Sequence, residues 1–138
     1  MTTRTENTET TRAVVRGYVE ALQRGDLDAL RASFTVDATW SLRGDLPVAG
    51  TWTGPAIIDG FLAAMTARLD TAAPLTQQVH RILADGDTAV AEWTSRATTR
   101  DGRPYENDDA VVFEVRDERI AAVREYFDTG YAQRVLFA

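Results

Sequence analysis

An α+β fold is predicted by three observations. Apolar residues recur at helical spacing in two stretches of the first half, 9–24 and 55–69. From residue 75 onward they alternate with polar ones instead, which is the period of a strand. Three tight-turn signals, Asp85-Gly86, Arg100-Asp101-Gly102 and Asp117-Glu118, cut that second half into four strands. Helices followed by an antiparallel meander form one of the few layer arrangements that bury an apolar stripe against an apolar sheet face. The chain has 138 residues, with no internal repeat or linker, which suits one domain with a core of its own.

Each element has its own reason. Residues 1–8 are polar and read as a disordered tail, leaving 9–138 as the single domain. Val14, Val15, Tyr18, Val19 and Leu22 make the apolar stripe of a first helix that Gly25 stops. Asp26 is placed to cap a second, short helix carrying Leu27, Leu30 and Phe34. Residues 38–42 read as a strand, and 43–54, with three glycines and a proline, as a loop whose glycines serve turns. Thr53 and Pro55 signal a helix start, followed by Ile57, Ile58, Phe61, Leu62, Met65 and Leu69 on a broad apolar face. Strands are expected at 75–84, 87–99, 105–115 and 120–128, and a last short helix at 130–137.

Composition narrows the function. A net charge of −6 argues against nucleic acid, whose phosphates need a basic surface. The 15 basic residues other than His80 are all arginine, so no lysine is present for Schiff-base chemistry. There is no cysteine for a disulfide framework or thiolate metal site, and a single histidine makes a metal centre improbable. No apolar run approaches a membrane span, and the polar N-terminus lacks a signal-peptide core; a cytoplasmic protein without membrane association is expected.

The polar residues that interrupt the strands are the functional candidates. Glu92, Thr94 and Arg96 share a strand face with Val90; Asn107 and Asp109 share one with Val111, Phe113 and Val115; Glu125 shares one with Val123 and Phe127. Such mixed faces are costly unless the polar groups are paired or line a solvated cavity. A polar-studded cavity on an apolar sheet is the usual form of a small-molecule pocket. Carboxylates gathered in one cavity cannot all ionise cheaply, so an acid and a base end up side by side. Glu125 is expected as the catalytic centre, with Glu92 or Asp109 as the second carboxylate. Tyr18, Trp40, Arg96 and Asn107 are the expected substrate-binding residues.

Three segments carry a family resemblance: VVRGYVEALQRGDLDALRASFTVDATW (14–40), LTQQV (75–79) and VREYFD (123–128). They resemble the ketosteroid isomerase and limonene-epoxide hydrolase group of the nuclear transport factor 2-like superfamily, which also includes small polyketide cyclases. The resemblance implies a cone-shaped fold in which N-terminal helices close over a curved, mainly antiparallel sheet, with the pocket inside and a homodimer through the convex sheet face. It places Tyr18 at the isomerases' oxyanion-donor position, but their catalytic aspartates fall at Leu42 and Val111. Against the hydrolases' Asp-Arg-Asp arrangement, only Glu125 retains an acid: Glu92 replaces the arginine and Thr94 the first aspartate, while Trp40 and Leu42 replace the water-holding pair.

The expected function is therefore a cofactor-independent isomerase, cyclase or epoxide hydrolase acting on a small apolar oxygenated ligand. The alternative is a ligand-binding or dimeric scaffold protein without chemistry. For the dimer, Ala91, Trp93, Ala110, Val112 and Tyr126 are the expected apolar band.

Overall fold

Thr3 starts the first helix. Its hydroxyl accepts a hydrogen bond from the Glu6 backbone N–H at 3.0 Å, and α1 runs Arg4–Arg24. The structure, a computed structural model, describes residues 2–137. Most of the expected tail is thus helix, and Met1 lies outside the described residues. The first turns dock on the distant Asp85–Asp87 turn: Thr8 accepts from the Gly86 N–H at 2.8 Å, and Thr11 donates to the Gly86 carbonyl at 2.7 Å. Gly25 ends α1 with φ 69°, the left-handed conformation that glycine adopts without steric cost.

Asp26 caps α2, Leu27–Ala32, by accepting from the Ala29 N–H at 3.1 Å. Phe34 opens β1, Phe34–Leu42, instead of riding on that helix. Within the expected loop, Gly50–Thr53 forms β2, an edge strand antiparallel to β1. Its glycine starts a Thr-Trp-Thr run with strand propensity, and the Trp52 indole donates back to the Val48 carbonyl at 2.9 Å. A π-helical stretch, Ile57–Leu62, continues into α3, Ala63–Thr66. Leu69, expected on that helix, instead makes a β-bridge with Thr99.

The meander follows as β3, Thr76–Asp85; β4, Thr88–Thr98; β5, Pro104–Arg116; and β6, Arg119–Tyr126. Together the strands make one sheet in the order β2-β1-β6-β5-β4-β3, antiparallel except for the β1–β6 pair. Register shifts between Val79 and Arg81 and between Glu114 and Val115 add twist and help the sheet to curl. One face packs against α1, α2 and the π-helical stretch, around a core that includes Val15, Val19, Leu30, Phe113 and Ile120. Among the described residues no helix packs on the other face.

The chain ends in α4, Thr129–Ala132, which continues as a second π-helical stretch, Gln133–Phe137. Asp128 caps it, accepting from the Tyr131 N–H at 3.0 Å. This helix closes one end of the concave side, where Arg68 and Arg103 donate to the Leu136 and Val135 carbonyls, each at 2.9 Å. Among the described residues no helix is long and apolar enough to cross a membrane.

Candidate functional site

Between the concave sheet face and the helices lies a cavity of about 70 Å³. Leucine, isoleucine and phenylalanine from α1, the two π-helical stretches and the loops beside the sheet supply much of its apolar lining. The sheet supplies the polar groups. Direct partners across an antiparallel pair share a face. Trp93 stands opposite Asp109, so the cavity face of β4 holds Ala91, Trp93 and Ser95, matched on β5 by Val111, Asp109 and Asn107. Glu125 pairs with Val111, which makes Asp109 and Glu125 diagonal neighbours on one face, roughly 7 Å apart.

This register corrects the expected placement of Glu92 and Arg96. Glu92 stands opposite Ala110 on the helix-free face, where it pairs with Arg81. Arg96 is on that face too, donating to Glu106 at 2.6 Å and to Gln78 at 2.7 Å. The alternation within β4 was legible, but which alternate set faces inward depends on the partner strand. A turn centred on Asp101 places Trp93 and Asp109 equidistant from it, so the hairpin signal already contained this register. The same correction moves Ala91 and Trp93 off the convex band, while Ala110, Val112 and Tyr126 stay there.

Asn107 is buried but does not line the cavity. Its amide donates to the Tyr105 hydroxyl and to the Asp128 carbonyl, both at 3.0 Å, and accepts from the Asp128 N–H at 3.2 Å. With its hydrogen bonds spent, it anchors the β6–α4 turn to β5. Tyr18 and Trp40 do line the cavity, within an aromatic cluster that includes Phe34, Phe61 and Phe113. Tyr105, Ser95, Trp93 and Gln77 line it as well, although none of them was a candidate from sequence.

Glu125 and Asp109 are both buried. The Trp40 indole N–H donates to Glu125 Oε1 at 3.1 Å. Burial, and then the neighbouring Asp109 charge, push the Glu125 carboxyl up to about 8 despite that hydrogen bond. Asp109 is held by a short relay: the Trp93 N–H donates to Ser95 Oγ at 3.1 Å, and Ser95 donates to Asp109 Oδ2 at 2.7 Å. Burial raises Asp109 to about 6, with the hydrogen bonds opposing it. Among the described residues no arginine lines the cavity to neutralise either group. Near neutral pH the buried pair therefore tends to keep a proton that isolated carboxyls would have released. Burial also holds the Tyr18 and Tyr105 hydroxyls well above their usual range, so both remain neutral donors. Among the described residues no three histidine, aspartate or glutamate side chains gather to hold a metal.

Comparison with known proteins adds three findings. The SnoaL-like domain pattern matches residues 15–123. No curated protein matches the chain. Among solved structures, an LEH-like epoxide hydrolase of M. tuberculosis is 26% identical with a TM-score of 0.71, the match covering 94% of this chain and 90% of that one. An NTF2-like protein from Burkholderia xenovorans LB400 is 24% identical with a TM-score of 0.77, covering 94% and 97%. TerC, co-crystallised with polyporic acid, is 19% identical with a TM-score of 0.81, covering 94% and 99%. The last two likenesses concern the fold.

Proposed function

The chain belongs to the SnoaL-like domain family, and from that premise we propose that it is an enzyme moving protons on a small, mostly apolar, oxygenated molecule, with Asp109 as base and Glu125 as acid. One observation carries this reading: two buried carboxyl groups face one apolar cavity, diagonal to each other, with no arginine beside them. Structural carboxylates in a core are normally paired with a cation, whereas an unneutralised pair with separated pKa values divides an acid role from a base role.

In an enolisation, the Asp109 carboxylate takes a proton from the carbon beside a carbonyl. The C–H electron pair becomes the new C=C bond, and the carbonyl oxygen takes the proton of Glu125. Return of a proton to another carbon completes a double-bond migration. The Tyr18 and Tyr105 hydroxyls are available to hold the oxygen as charge develops. The same pair supports a second reading, epoxide opening, in which Asp109 takes a proton from water and Glu125 protonates the ring oxygen. The similarity to the mycobacterial LEH-like epoxide hydrolase favours keeping it.

Deuterium exchange beside the carbonyl of 2-tetralone, followed by NMR, tests the first reading, and diol formation from styrene oxide tests the second. Exchange above the buffer rate that Glu125→Gln abolishes supports the acid–base site. Silence in both assays favours a ligand-binding protein without chemistry.

We also propose a homodimer through the convex face. Leu83 and Tyr126 are exposed there, beside Val90, Ala110 and Val112, and the Arg81–Glu92 and Arg124–Glu114 pairs frame them. An apolar band between complementary charges fits a two-fold partner. Light scattering at micromolar concentration should give twice the chain mass, and Val112→Arg should halve it; a monomeric native protein overturns this interface.

A further inference from the structure

Among the described residues, two buried side-chain oxygens lack a hydrogen-bond partner, Oε1 of Gln77 and Oε1 of Gln133. Gln77 is the one that lines the cavity, and it is 8% exposed. An unanswered acceptor in an apolar wall is a standing cost, so its presence needs an explanation. The neighbours cannot answer it. Ser95, directly opposite on β4, already donates its one hydroxyl proton to Asp109. Leu22, Ile58, Leu62, Leu69 and Leu75 around it carry no side-chain donor. The Gln77 main chain is itself tied to α1, its carbonyl accepting from the Gln23 side chain at 3.1 Å, so the strand is fixed where it presents the amide.

The location suggests a purpose. Beyond the cavity an outer vestibule of about 530 Å³, open to solvent, is bounded by α2, α3 and the loop before β3. It shares with the cavity the five apolar residues just named and Gln77, so the amide stands at the threshold between the two spaces. Gln77 is on β3 and Glu125 on β6, three strand spacings away, about 14 Å along the sheet. A molecule touching both ends is longer than a single ring.

We infer that Gln77 is a substrate-recognition residue, its Oε1 accepting a hydrogen bond from a hydroxyl at the far end of an elongated, uncharged ligand whose reacting end lies at Asp109 and Glu125. The inference rests on the acid–base reading for the reacting end, but its own content is the hydroxyl at the threshold. An anionic group finds no arginine in the cavity, and at the vestibule rim Arg31 is already bound to Asp59 at 2.7 Å. An ammonium group would lose its hydration among leucines for a single amide oxygen. A hydroxyl offers the one donor that the amide oxygen lacks. Such a site rejects the analogue lacking the hydroxyl, because the amide is then left unpaired.

Calorimetric titration with 4,4′-dihydroxybiphenyl and 4-hydroxybiphenyl tests this. The native protein should bind the diol about three- to tenfold more tightly, the effect of one added neutral hydrogen bond. Gln77→Leu should erase or reverse that preference and raise the melting temperature, since the orphaned acceptor is gone. Gln77→Met, unbranched and of similar length, gives the same reading should the leucine variant not fold. A diol preference that survives both substitutions overturns the inference, as does equal binding of the two compounds by the native protein. If neither compound binds, this inference falls together with the reading of the cavity as a ligand site. Because binding is read without turnover, a protein silent toward 2-tetralone and styrene oxide that still shows the Gln77 effect retains this inference and loses only the acid–base one.

Discussion

The two faces of the sheet use the same residue types in opposite ways. On the convex face, Glu92, Glu106 and Glu114 each sit beside an arginine, respectively Arg81, Arg96 and Arg124, and all six side chains are at least partly exposed. On the concave face, Asp109 and Glu125 are buried with only neutral donors, Ser95 and Trp40, against them. Exposed pairs of the first kind contribute between nothing and ~1 kcal/mol, since water already solvates both charges. Buried carboxyls of the second kind remain affordable only by holding their protons to higher pH. The comparison teaches that a carboxylate count says little about function, and that the absence of a counter-cation is what marks out the candidate site.

The widest separation of the faces is expected in activity. Glu125→Gln should lower 2-tetralone exchange by ~10²–10⁴-fold, the usual contribution of a positioned acid or base, while Glu92→Gln leaves it unchanged. Equal losses in the two variants would erase the distinction between the faces. The pH profile of exchange should be a bell, rising as Asp109 ionises near 6 and falling as Glu125 loses its proton near 8.

Stability against pH sharpens the comparison next. Both buried carboxyls have folded-state pKa values raised above their ordinary ones of 3.8 and 4.5. The folded state thus binds protons that the unfolded chain has released. Their contribution is fully favourable below about 4 and is lost as pH rises toward 8. The loss has a limiting slope of about 1.4 kcal/mol per pH unit for one group. Urea melts from pH 4 to 9 should show that decline, and the Asp109→Asn/Glu125→Gln double variant should flatten it. A native protein whose stability rises through this window contradicts the burial of neutral acids.

A smaller effect concerns the donor on Glu125. Trp40→Phe keeps the ring packing and removes the N–H that favours the ionised form. The alkaline limb of the activity profile should move to higher pH, by less than one unit, with at most a tenfold change in maximal rate. A limb that stays in place would assign the Trp40 contact to packing. The smallest effect belongs to the convex face, where Arg96→Gln should change unfolding free energy by less than ~0.5 kcal/mol at moderate salt. A loss of several kcal/mol would show that this ion pair is structural after all.

Much of this molecule was legible locally. The i, i+3, i+4 spacing of α1 put Tyr18 on its apolar stripe, Asp26 announced the α2 cap, and the Asp85-Gly86 turn announced the β3–β4 hairpin. Strand alternation grouped Asp109 with Val111 and Glu125 with Val123, and both carboxyls are on the cavity face. These features depend on residues a few positions apart, so the backbone repeat alone specifies them.

Other features needed partners far away in the chain. The start of α1 at Arg4 depends on Thr8 and Thr11 meeting Gly86, and β2 exists because β1 offers it an edge. Asn107 looked like a ligand contact until Asp128 and Tyr105 took its hydrogen bonds. By itself the sequence determined most of the element order, the alternation of each strand and Glu125 as a buried acid, and it left Glu92 and Asp109 as alternatives for the second. Which side of β4 faces the helices, and hence that Glu92 and Arg96 belong outside with Trp93 and Ser95 inside, was decided by tertiary structure. The physical reason is that alternation is a property of one strand, whereas inside and outside are defined only when register ties that strand to its neighbour and the helices choose one face to cover.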